Sequence, residues 1–322
     1  MKKVAVLGGG AWGTAIATVL AHNGHAVTLW CLEQSVVDDI QKTGINGAYL
    51  PGVSLHTGIK PTTSLQDALQ DVQWVFEAIP VKYMRTVLEQ CRSFYKTEQR
   101  WVVLSKGIEQ ETLLLPTQII ADVFQTEVAT AVVAGPSFAH ELAMQELTAV
   151  NIASESASIS VELQELLKTL YLHTIIIDDV IGMEICAAFK NVIALGVGML
   201  EGMGSGDNTK AFFLVKSCQD LERLLAFFLG KQSTIYSYAG IGDLVLTAYG
   251  AWGRNRMMGR KIGERASIAH LHAAGTVEGF NTVRSLYQLM QAGQLELPLC
   301  KAMYQILYES EQLVKLKTIL VS

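Results

Sequence analysis

Residues 4–13 read VAVLGGGAWG, and this stretch decides the fold. The short apolar run predicts a buried strand, and the glycines after it fit the G-x-G-x-x-G pattern. In that pattern Gly8 allows a tight turn, Gly10 lets backbone amides approach a pyrophosphate, and Gly13 lets the next helix pack closely on the strand. The N-terminus of the helix expected at residues 11–22 adds partial positive charge. The place of the glycines between strand and helix therefore predicts a dinucleotide site.

Outward from this motif, short apolar runs alternate with helix-like stretches through the first half of the chain. Continuous apolar strands are typical of a parallel sheet that is covered on both faces. Strands that alternate with helices predict an α/β domain with a doubly wound, Rossmann-type sheet. The predicted strands are residues 4–7, 26–30, 74–78, 101–104, 131–134 and 148–153, and the predicted helices are 11–22, 82–92 and 158–170.

The pattern changes beyond about residue 178, where helical spacing replaces the strand-like runs. We therefore predict a mostly helical second domain, whose boundary lies beside the helix that starts near Val180. On this reading residues 1–180 form the dinucleotide-binding domain and residues 181–322 form a substrate and catalytic domain. The predicted helices of the second domain are residues 180–201, 209–229, 282–292 and 298–309.

The composition argues against several classes of function. Half of the residues are hydrophobic and 17% are charged, which predicts well-buried cores. The formal net charge of −5 disfavours a nucleic acid or an anionic membrane as partner. The five cysteines show no C-x-x-C spacing, so we expect no disulfide framework, no metal site and a cytoplasmic location. Lys190 and Asn191 interrupt the apolar run at residues 185–200, which predicts a core helix and no membrane span.

The end of the second predicted strand, residues 29–33, reads LWCLE and is expected to face the adenosine ribose. Leu32 and Glu33 offer no cation for a 2′-phosphate. Glu33 is suited to accept a hydrogen bond from a 2′-hydroxyl and would repel a phosphate. Alternatively, Glu33 lies in the first turn of the next helix, where the macrodipole favours an acid. The pattern favours NAD(H), and NADP(H) is the alternative.

Lys190 is the leading catalytic candidate, because apolar residues flank it on all sides of a predicted helix. Burial lowers the pKa of a lysine, which fits it for proton transfer near neutral pH. The alternative is a surface lysine whose stem covers apolar neighbours. Asn191 is placed to hold a substrate oxygen or the lysine itself. Lys106 follows a predicted strand at the carboxyl edge of the sheet, where open α/β sheets bind ligands.

Residues 240–247 read GIGDLVLT, which is typical of a glycine turn that leads into a helix. Asp243 and Thr247 are four residues apart and therefore share one helix face, so a carboxylate and a hydroxyl are placed to orient a lysine and a substrate hydroxyl. The alternative for Asp243 is a structural role as the helix N-cap.

Arg254 and Asn255 lie in a predicted loop and form a candidate anion site. A guanidinium binds phosphate in a forked geometry, so we predict Arg254 as the ligand of a substrate phosphate. Arg256, Arg260 and Lys261 instead fit a solvated basic helix face.

Over nearly its whole length the chain resembles the soluble NAD(P)-dependent glycerol-3-phosphate dehydrogenase family. This resemblance implies interconversion of dihydroxyacetone phosphate and sn-glycerol 3-phosphate, a supply of glycerol phosphate for lipid synthesis, and a homodimer formed through the helical domain. The ordered matches are GGGAWGTA at 8–15, NGHAVTLW at 23–30, YLPG at 49–52, SKGIE at 105–109, AGPSFAHE at 134–141, FKNVIALGVG at 189–198, GDNTKA at 206–211, GIGDLVLT at 240–247, GRNRMMG at 253–259 and VEG at 277–279.

The resemblance also implies residue roles. Lys190 matches the proton donor and acceptor, and Arg254 and Asn255 match the phosphate-binding pair. Gly135 and Ser137 match substrate contacts. The polar residues implied around the reacting centre are Lys106, Asn191, Asp243 and Thr247. The positions implied near the cofactor are Ala11, Trp12, Leu32, Lys106, Ala139, Arg254 and Glu278.

Three departures from the family pattern bear on affinity more than on the reaction. Bacterial members commonly carry a polar or basic residue at Leu32 and a serine at Gly253, and the family pattern often has an arginine at Lys216. Two rival functions remain: a related dehydrogenase that acts on a 3-hydroxy acid or a sugar acid, and a catalytically silent dinucleotide-binding sensor. The Arg254-Asn255 pair argues against the first, and the lysine at 190 argues against the second.

Overall fold

The computed structural model of the chain describes residues 1–264, 277–293 and 295–321. Strands and helices alternate through the first part of the chain, and helices dominate the later part. This arrangement confirms the predicted fold class, a doubly wound α/β sheet followed by a mostly helical region.

The chain divides into two compact units. The first unit comprises Met1–Ser105 and Pro116–Val180, and the second comprises Lys106–Leu115 and Ile181–Ser322. The predicted first domain, residues 1–180, therefore includes one segment that belongs to the second unit, Lys106–Leu115.

Hydrogen bonds to a later helix explain why the segment Lys106–Leu115 belongs to the second unit. The Ser285 hydroxyl donates to the carbonyl oxygen of Ile108 at 2.9 Å. The Gln110 side chain donates to the Asn281 side-chain oxygen at 3.1 Å. Neither hydrogen bond could be predicted from the sequence, because its two residues lie more than 170 positions apart and no local sequence pattern links them.

The first unit is built on strands numbered here in chain order. They are β1 Lys3–Leu7, β2 Ala26–Trp30, β3 Ile45–Asn46, β4 Leu50–Ser54, β5 Ile59–Thr62, β6 Trp74–Glu77, β7 Arg100–Val103, β8 Ala129–Ala134, β9 Thr148–Ala153 and β10 Leu172–Ile176. Eight of them form one sheet in the order β10-β9-β8-β7-β6-β1-β2-β5, and β3 pairs with β4 in a separate sheet. The chain leaves β1 towards one side and returns to β6 on the other, which makes the β1/β6 position the topological switch point where such sheets bind ligands.

Helices connect these strands and cover the sheet. They are α1 Ala11–His22, α2 Gln34–Thr43, α3 Leu65–Leu69, α4 Val81–Cys91, α5 Pro116–Phe124, α6 Ala139–Ala143 and α7 Ala157–Leu167. The core of this unit lies between the helices and the apolar faces of the strands, with Val4, Val6, Ile16 and Leu20 fully buried.

Two strands at one edge, β9 and β10, run opposite to the expected parallel sheet: β9 is antiparallel to β8, and β10 is parallel to β9. The connection from β8 to β9 contains only the short helix α6, Ala139–Ala143. A parallel return usually crosses over through a full helix, and α6 is too short to span the sheet in that way, so the chain returns as an antiparallel neighbour.

The second unit is a helical assembly around the long helix α8. Its helices are α8 Val180–Gly202, α9 Asp207–Phe227, α10 Asp243–Tyr249, α11 Arg254–Gly263, α12 Glu278–Ala292, α13 Pro298–Tyr308 and α14 Lys315–Thr318, with short 3₁₀ and π turns at Gln232–Tyr236 and Tyr238–Gly242. Of the helices that the structure describes, α8 is the one long and apolar enough to cross a membrane, but 89% of its apolar window is buried inside the protein. Such burial is typical of a core helix.

Glycines bring α11 directly against α8. A Cβ added at Gly198 would lie 2.1 Å from the carbonyl oxygen of Arg256, and one added at Gly259 would lie 2.0 Å from that of Leu195. Larger side chains at either position would therefore force the helices apart. This close contact holds the start of α11 beside the middle of α8, where the candidate catalytic residues lie.

Candidate active site

The turn after β1 has the geometry that the glycine motif predicts. Gly8 has a φ of +126°, which favours glycine, and a Cβ there would lie 2.6 Å from the carbonyl oxygen of Ala78. A Cβ at Gly13 would lie 2.0 Å from the carbonyl oxygen of Gly8. Both glycines are therefore required by close backbone contacts.

The space in front of this turn fits the diphosphate of a dinucleotide. A Cβ added at Gly10 would meet nothing within 4 Å, so the turn leaves open space at that position. Gly10 is also the N-cap of α1 and has no side chain to cap the helix, which leaves N–H groups of the first turn available to an anion. Ala11 and Trp12 occupy that first turn, and their place near the cofactor stays a prediction.

A buried asparagine that the sequence interpretation missed holds this turn in shape. The Asn46 amide donates to the carbonyl oxygen of Gly9 at 2.8 Å and to the Thr14 hydroxyl at 2.9 Å. Asn46 is fully buried, and its position just before the YLPG match was the only signal in the sequence.

The residues expected at the ribose lie directly after β2. Leu32 is largely exposed, and Glu33 is the N-cap residue of α2, with no capping bond from its side chain. Glu33 therefore precedes the first helical turn, so the alternative placement inside that turn is wrong. Its carboxylate accepts a hydrogen bond of 2.9 Å from the Tyr49 hydroxyl, a bond that raises the pKa of Tyr49. Tyr49 is a second residue that the sequence interpretation did not single out.

The segment after β8 contains the other expected contacts of the first unit. Gly135 is buried, and a Cβ there would lie 2.7 Å from the Cα of Val150. The Ser137 hydroxyl donates to the carbonyl oxygen of Gly135 at 2.9 Å, and Ala139 begins α6. Because β8 is parallel to β7, this segment leaves the sheet at the same edge as the glycine turn.

In the second unit, one buried carboxylate holds two lysines. Asp243 is 1% exposed, and its two oxygens accept separate hydrogen bonds, Oδ1 from Lys190 and Oδ2 from Lys106 at 2.8 Å. Asp243 is the first residue of α10, and its side chain caps no backbone N–H group there. The N-cap alternative for Asp243 is therefore wrong, and the carboxylate is a ligand for lysines.

Lys190 is buried, which rules out the alternative of a surface lysine. Burial lowers the pKa of Lys190 to about 7; the charge of Lys106 lowers it too, whereas Asp243 opposes the shift. For Asp243, burial alone would raise the pKa, but the charges of Lys106 and Lys190 outweigh burial and lower it. The cluster therefore pairs a firmly ionised carboxylate with a lysine that exchanges its proton near neutral pH.

Thr247 fixes the direction of the Lys190 ammonium. Its hydroxyl donates to the backbone carbonyl oxygen of Asp243 at 2.6 Å, so its oxygen is free to accept from Lys190 Nζ at 3.0 Å. An ammonium carries three protons, and Asp243 and Thr247 engage two of them. One proton of Lys190 therefore remains for a ligand.

Arg254 and Asn255 lie at the start of α11 rather than in the predicted loop. Arg254 is exposed, and its guanidinium has no hydrogen-bond partner among the described residues. The N-cap residue, Gly253, has no side chain, so the first N–H groups of α11 receive no side-chain cap. A Cβ added at Gly253 would lie 2.6 Å from the carbonyl oxygen of Thr247. A side chain at this position would therefore have to displace that carbonyl group. A free guanidinium beside an uncapped helix N-terminus suits a phosphate.

The neighbouring residues separate Arg254 from the other basic side chains of α11. Arg256 is bound by both oxygens of Glu201, at 2.8 and 3.1 Å, so it is engaged within the protein. Glu278 begins α12, where burial raises its pKa to about 7 and the charge of Arg254 opposes that rise. Arg254 is thus the arginine at this helix start that is available to an anionic ligand.

The Asn255 amide is engaged at both ends. Its nitrogen donates to Asn191 Oδ1 at 2.9 Å, and its oxygen accepts from the backbone N–H of Gly279 at 2.9 Å. Both asparagines are buried to more than nine-tenths of their surface. The side chain of Asn255 is therefore bound by other residues of the protein, and its role as a phosphate ligand stays a prediction.

Comparisons with known proteins point to one family. Residues 3–160 match the family model described as the N-terminus of NAD-dependent glycerol-3-phosphate dehydrogenase, and residues 179–317 match the model for its C-terminus. A glycerol-3-phosphate dehydrogenase of the NAD(P)+ type from Enterococcus faecalis is 37% identical over 314 residues, which cover 96% of this chain and 92% of that protein. One from Bacillus pumilus is 36% identical over 316 residues, with 97% and 92% covered. The crystal structure of glycerol-3-phosphate dehydrogenase from Coxiella burnetii superposes with a TM-score of 0.93 at 31% identity, covering 99% of this chain and 98% of that one.

Proposed function

The chain belongs to the NAD-dependent glycerol-3-phosphate dehydrogenase family and is an NAD(P)-dependent oxidoreductase, and on that premise we propose that it interconverts dihydroxyacetone phosphate and sn-glycerol 3-phosphate. The observation that carries the proposal is the buried cluster in which Asp243 holds both Lys190 and Lys106. Interconversion of a ketone and an alcohol needs a group that gives a proton in one direction and takes it back in the other. Lys190, with a pKa of about 7, has this property near neutral pH.

In the direction of reduction, the nicotinamide, when bound, supplies a hydride to the ketone carbon. Lys190 donates its remaining proton to the ketone oxygen, while Asp243 and Thr247 keep Nζ in place. The second ammonium, on Lys106, adds positive charge that stabilises the developing alkoxide. Reversal of the proton transfer, with Lys190 as the amine, serves oxidation of the alcohol.

Arg254 and the first turn of α11 bind the substrate phosphate. Forked hydrogen bonds from a guanidinium and N–H groups at a helix start both recognise phosphate oxygens. Anchoring the phosphate removes much of the freedom of the substrate and so orients its ketone carbon for reaction. Gly135 and Ser137 are the proposed contacts to the substrate from the first unit.

For the cofactor we propose a preference for NADH over NADPH. The turn formed by Gly8, Gly10 and Gly13 binds the diphosphate of either one. Glu33 lies where the adenosine ribose is expected, and Tyr49 holds its carboxylate. A carboxylate accepts a bond from a 2′-hydroxyl and repels a 2′-phosphate.

We also propose that the enzyme acts in the cytoplasm as a homodimer and supplies glycerol phosphate for lipid synthesis. Large apolar side chains are exposed on the second unit, among them Val215, Tyr236 and Trp252, and they suit a contact between two copies. All five cysteines are free, which suits a reducing compartment. Sedimentation equilibrium of the wild type and of a Trp252→Glu variant tests the dimer, and cell fractionation tests the location.

Oxidation of NADH with dihydroxyacetone phosphate as substrate tests the proposed reaction directly. We expect turnover with this substrate, formation of glycerol 3-phosphate, and no comparable turnover when 3-hydroxy acids are offered in reverse with NAD+. The Lys190→Met variant serves as the control for contaminating activity. Equal or faster turnover of a 3-hydroxy acid would reject the proposed substrate.

A further inference from the structure

We infer that Asn255 is a positioning residue, which sets the orientation of the Asn191 side-chain amide so that Asn191 presents an N–H donor to the substrate. The inference rests on the proposed function, because the substrate supplies the oxygen that accepts this hydrogen bond. It follows from the direction of two hydrogen bonds that connect three helices, α8, α11 and α12.

The first bond fixes which end of the Asn255 amide faces α12. The backbone nitrogen of Gly279 lies 2.9 Å from Asn255 Oδ1. A backbone N–H group can only donate, so the atom that it meets must be the amide oxygen. The orientation of Asn255 therefore follows from its partner.

The second bond transfers that orientation to Asn191. With its oxygen bound to Gly279, Asn255 has only its nitrogen to offer, and this nitrogen lies 2.9 Å from Asn191 Oδ1. Asn191 must therefore turn its oxygen towards Asn255, which leaves its own nitrogen as the outward end of the amide.

The outward nitrogen of Asn191 is available to a ligand. No acceptor among the described residues bonds to Asn191 Nδ2. The enclosed polar side-chain atoms that lack a partner in the described part of the chain are Trp12 Nε1, Tyr95 Oη, Trp101 Nε1, Ser205 Oγ and Gln288 Oε1. Asn191 Nδ2 is not among these atoms, so it is open to its surroundings.

Close packing makes the orientation hard to reverse. A Cβ at Gly279 would lie 2.7 Å from Asn255 Oδ1 and 2.8 Å from the backbone carbonyl oxygen of Asn191. The glycine thus lets α12 approach both asparagines at once. If the Asn255 amide were turned over, its nitrogen would face the donor of Gly279, and buried N–H groups would be left without an acceptor.

The polarity matters because the substrate presents only acceptors at its phosphate and ketone oxygens. An outward N–H group adds a donor next to Lys190 in the chain, whereas an outward oxygen would repel those atoms. Asn255 thus acts on the substrate through Asn191.

Substitution of Asn255 by aspartate tests the inference, because it reverses the polarity at nearly constant shape. The new carboxylate still accepts from Gly279, but its second oxygen needs a donor, so Asn191 turns its nitrogen inward and its oxygen outward. We expect the KM for dihydroxyacetone phosphate to rise roughly tenfold to a hundredfold, the size expected for loss of one hydrogen bond to a charged group. The Kd for NADH should stay within about twofold.

Two comparisons separate this role from a merely structural one. Asn255→Ala leaves Asn191 free to present either end of its amide, so the KM should rise less than in Asn255→Asp. A merely structural role predicts the opposite: alanine removes both hydrogen bonds, so it should raise the KM at least as much as aspartate does. In an Asn191→Ala background, Asn255→Asp should have little further effect on the KM. An undiminished effect there would mean that the new charge repels the substrate directly, and would overturn the inference.

A matched control measures the effect of losing a buried hydrogen bond in the same unit. The Ser217 hydroxyl is buried and donates to the carbonyl oxygen of Phe213 at 2.7 Å, within α9. Ser217→Ala should lower the Tm slightly and leave the KM for dihydroxyacetone phosphate unchanged.

Neutron diffraction from crystals of the wild type and of Asn255→Asp tests the orientation without any turnover. We expect the amide deuterons of Asn191 to face outward in the wild type and towards residue 255 in the variant. The same orientation in both crystals would overturn the inference even if the enzyme reduces dihydroxyacetone phosphate. Wild-type protein without that activity, but with the expected deuterons, would reject the proposed substrate and leave the positioning of Asn191 supported.

Discussion

The glycine turn of the first unit and the lysine–aspartate cluster of the second unit are built in opposite ways. The turn is continuous in sequence, and its shape follows from close backbone contacts around Gly8 and Gly13. The cluster gathers Lys106, Lys190 and Asp243 from separate segments, with 137 positions between the first and the last. A turn of this kind can be recognised from residue order, whereas a cluster must be inferred from the chemistry of each member. The two regions should therefore fail in different ways when they are altered.

The largest effect is expected in the cluster, from Lys190→Met. The variant removes the proton donor but keeps a long apolar side chain, so kcat should fall by about 10²–10⁴-fold, as for loss of a general acid. NADH binding should persist, because the glycine turn belongs to the first unit and is unchanged. Stopped-flow turnover and NADH fluorescence titration measure the two properties. Near-normal kcat in a folded variant would transfer the role of proton donor to Lys106.

Arg254→Ala should give the next largest effect, confined to the phosphate. The KM for dihydroxyacetone phosphate should rise roughly tenfold to a hundredfold, because a charged hydrogen-bond donor is lost. Unphosphorylated dihydroxyacetone, assayed at high concentration, should lose much less. Arg260→Ala is a suitable control, since Arg260 is exposed on the same helix and pairs with Glu264. Equal losses on both substrates would show that Arg254 does not bind the phosphate.

The difference between the two regions also explains what the sequence could predict of the fold. The central strands were recognised because they are continuous apolar runs. β10 was missed because its residues alternate between buried and exposed at the sheet edge, and β5, at the other edge, contains Lys60 and Pro61. The antiparallel direction of β9 depends on the connection before it, which holds no full crossover helix, rather than on the strand itself.

For the candidate site, the sequence indicated the residues but not the bonds between them. Lys190 stood out because a charged side chain in apolar surroundings is costly to bury, and Asp243 because it follows a glycine turn and shares a helix face with Thr247. That one carboxylate would bind two lysines depends on how distant segments pack. The loop predicted for Asn255 is wrong for the same reason, since glycine contacts between α8 and α11, such as those at Gly198 and Gly259, stabilise a helix there.

Two glycine substitutions should separate glycines that the fold of the turn requires from glycines that leave room for the diphosphate. Gly13→Ala places a Cβ 2.0 Å from the carbonyl oxygen of Gly8, so it should lower both the Tm and the affinity for NADH, at a cost of about 1–3 kcal/mol. Gly10→Ala meets no protein atom within 4 Å, so it should lower the Tm less than Gly13→Ala, by no more than the change of N-cap residue requires. It fills the space of the diphosphate and should weaken NADH binding. Thermal melts and fluorescence titrations measure both. Unchanged NADH affinity in Gly10→Ala would place the diphosphate elsewhere.

The pH dependence of kcat/KM should report the cluster. Lys190 has a pKa lowered to about 7, and reduction requires its ammonium form. Reduction of dihydroxyacetone phosphate should therefore decline above that pH, by about tenfold per pH unit, and oxidation of glycerol 3-phosphate should decline below it. Lys106→Met removes a charge that lowers the pKa of Lys190, so both limbs should shift to higher pH. Limbs that stay in place would show that another group controls the rate.

The smallest effect is expected back in the first unit, at the ribose. The wild type should use NADH with a higher kcat/KM than NADPH, because Glu33 offers an acceptor and Leu32 offers no cation. Leu32→Arg adds a guanidinium at an exposed position beside that carboxylate, so NADPH use should improve by only a few fold, since exposed charge pairs contribute about 0–1 kcal/mol. Leu32→Gln is the matched control, as it adds polarity without charge. The measurement is the steady-state kcat/KM for both cofactors. Equal values for the wild type would mean that Glu33 does not contact the ribose. If Leu32→Gln improves NADPH use as much as Leu32→Arg does, charge is not what selects the cofactor.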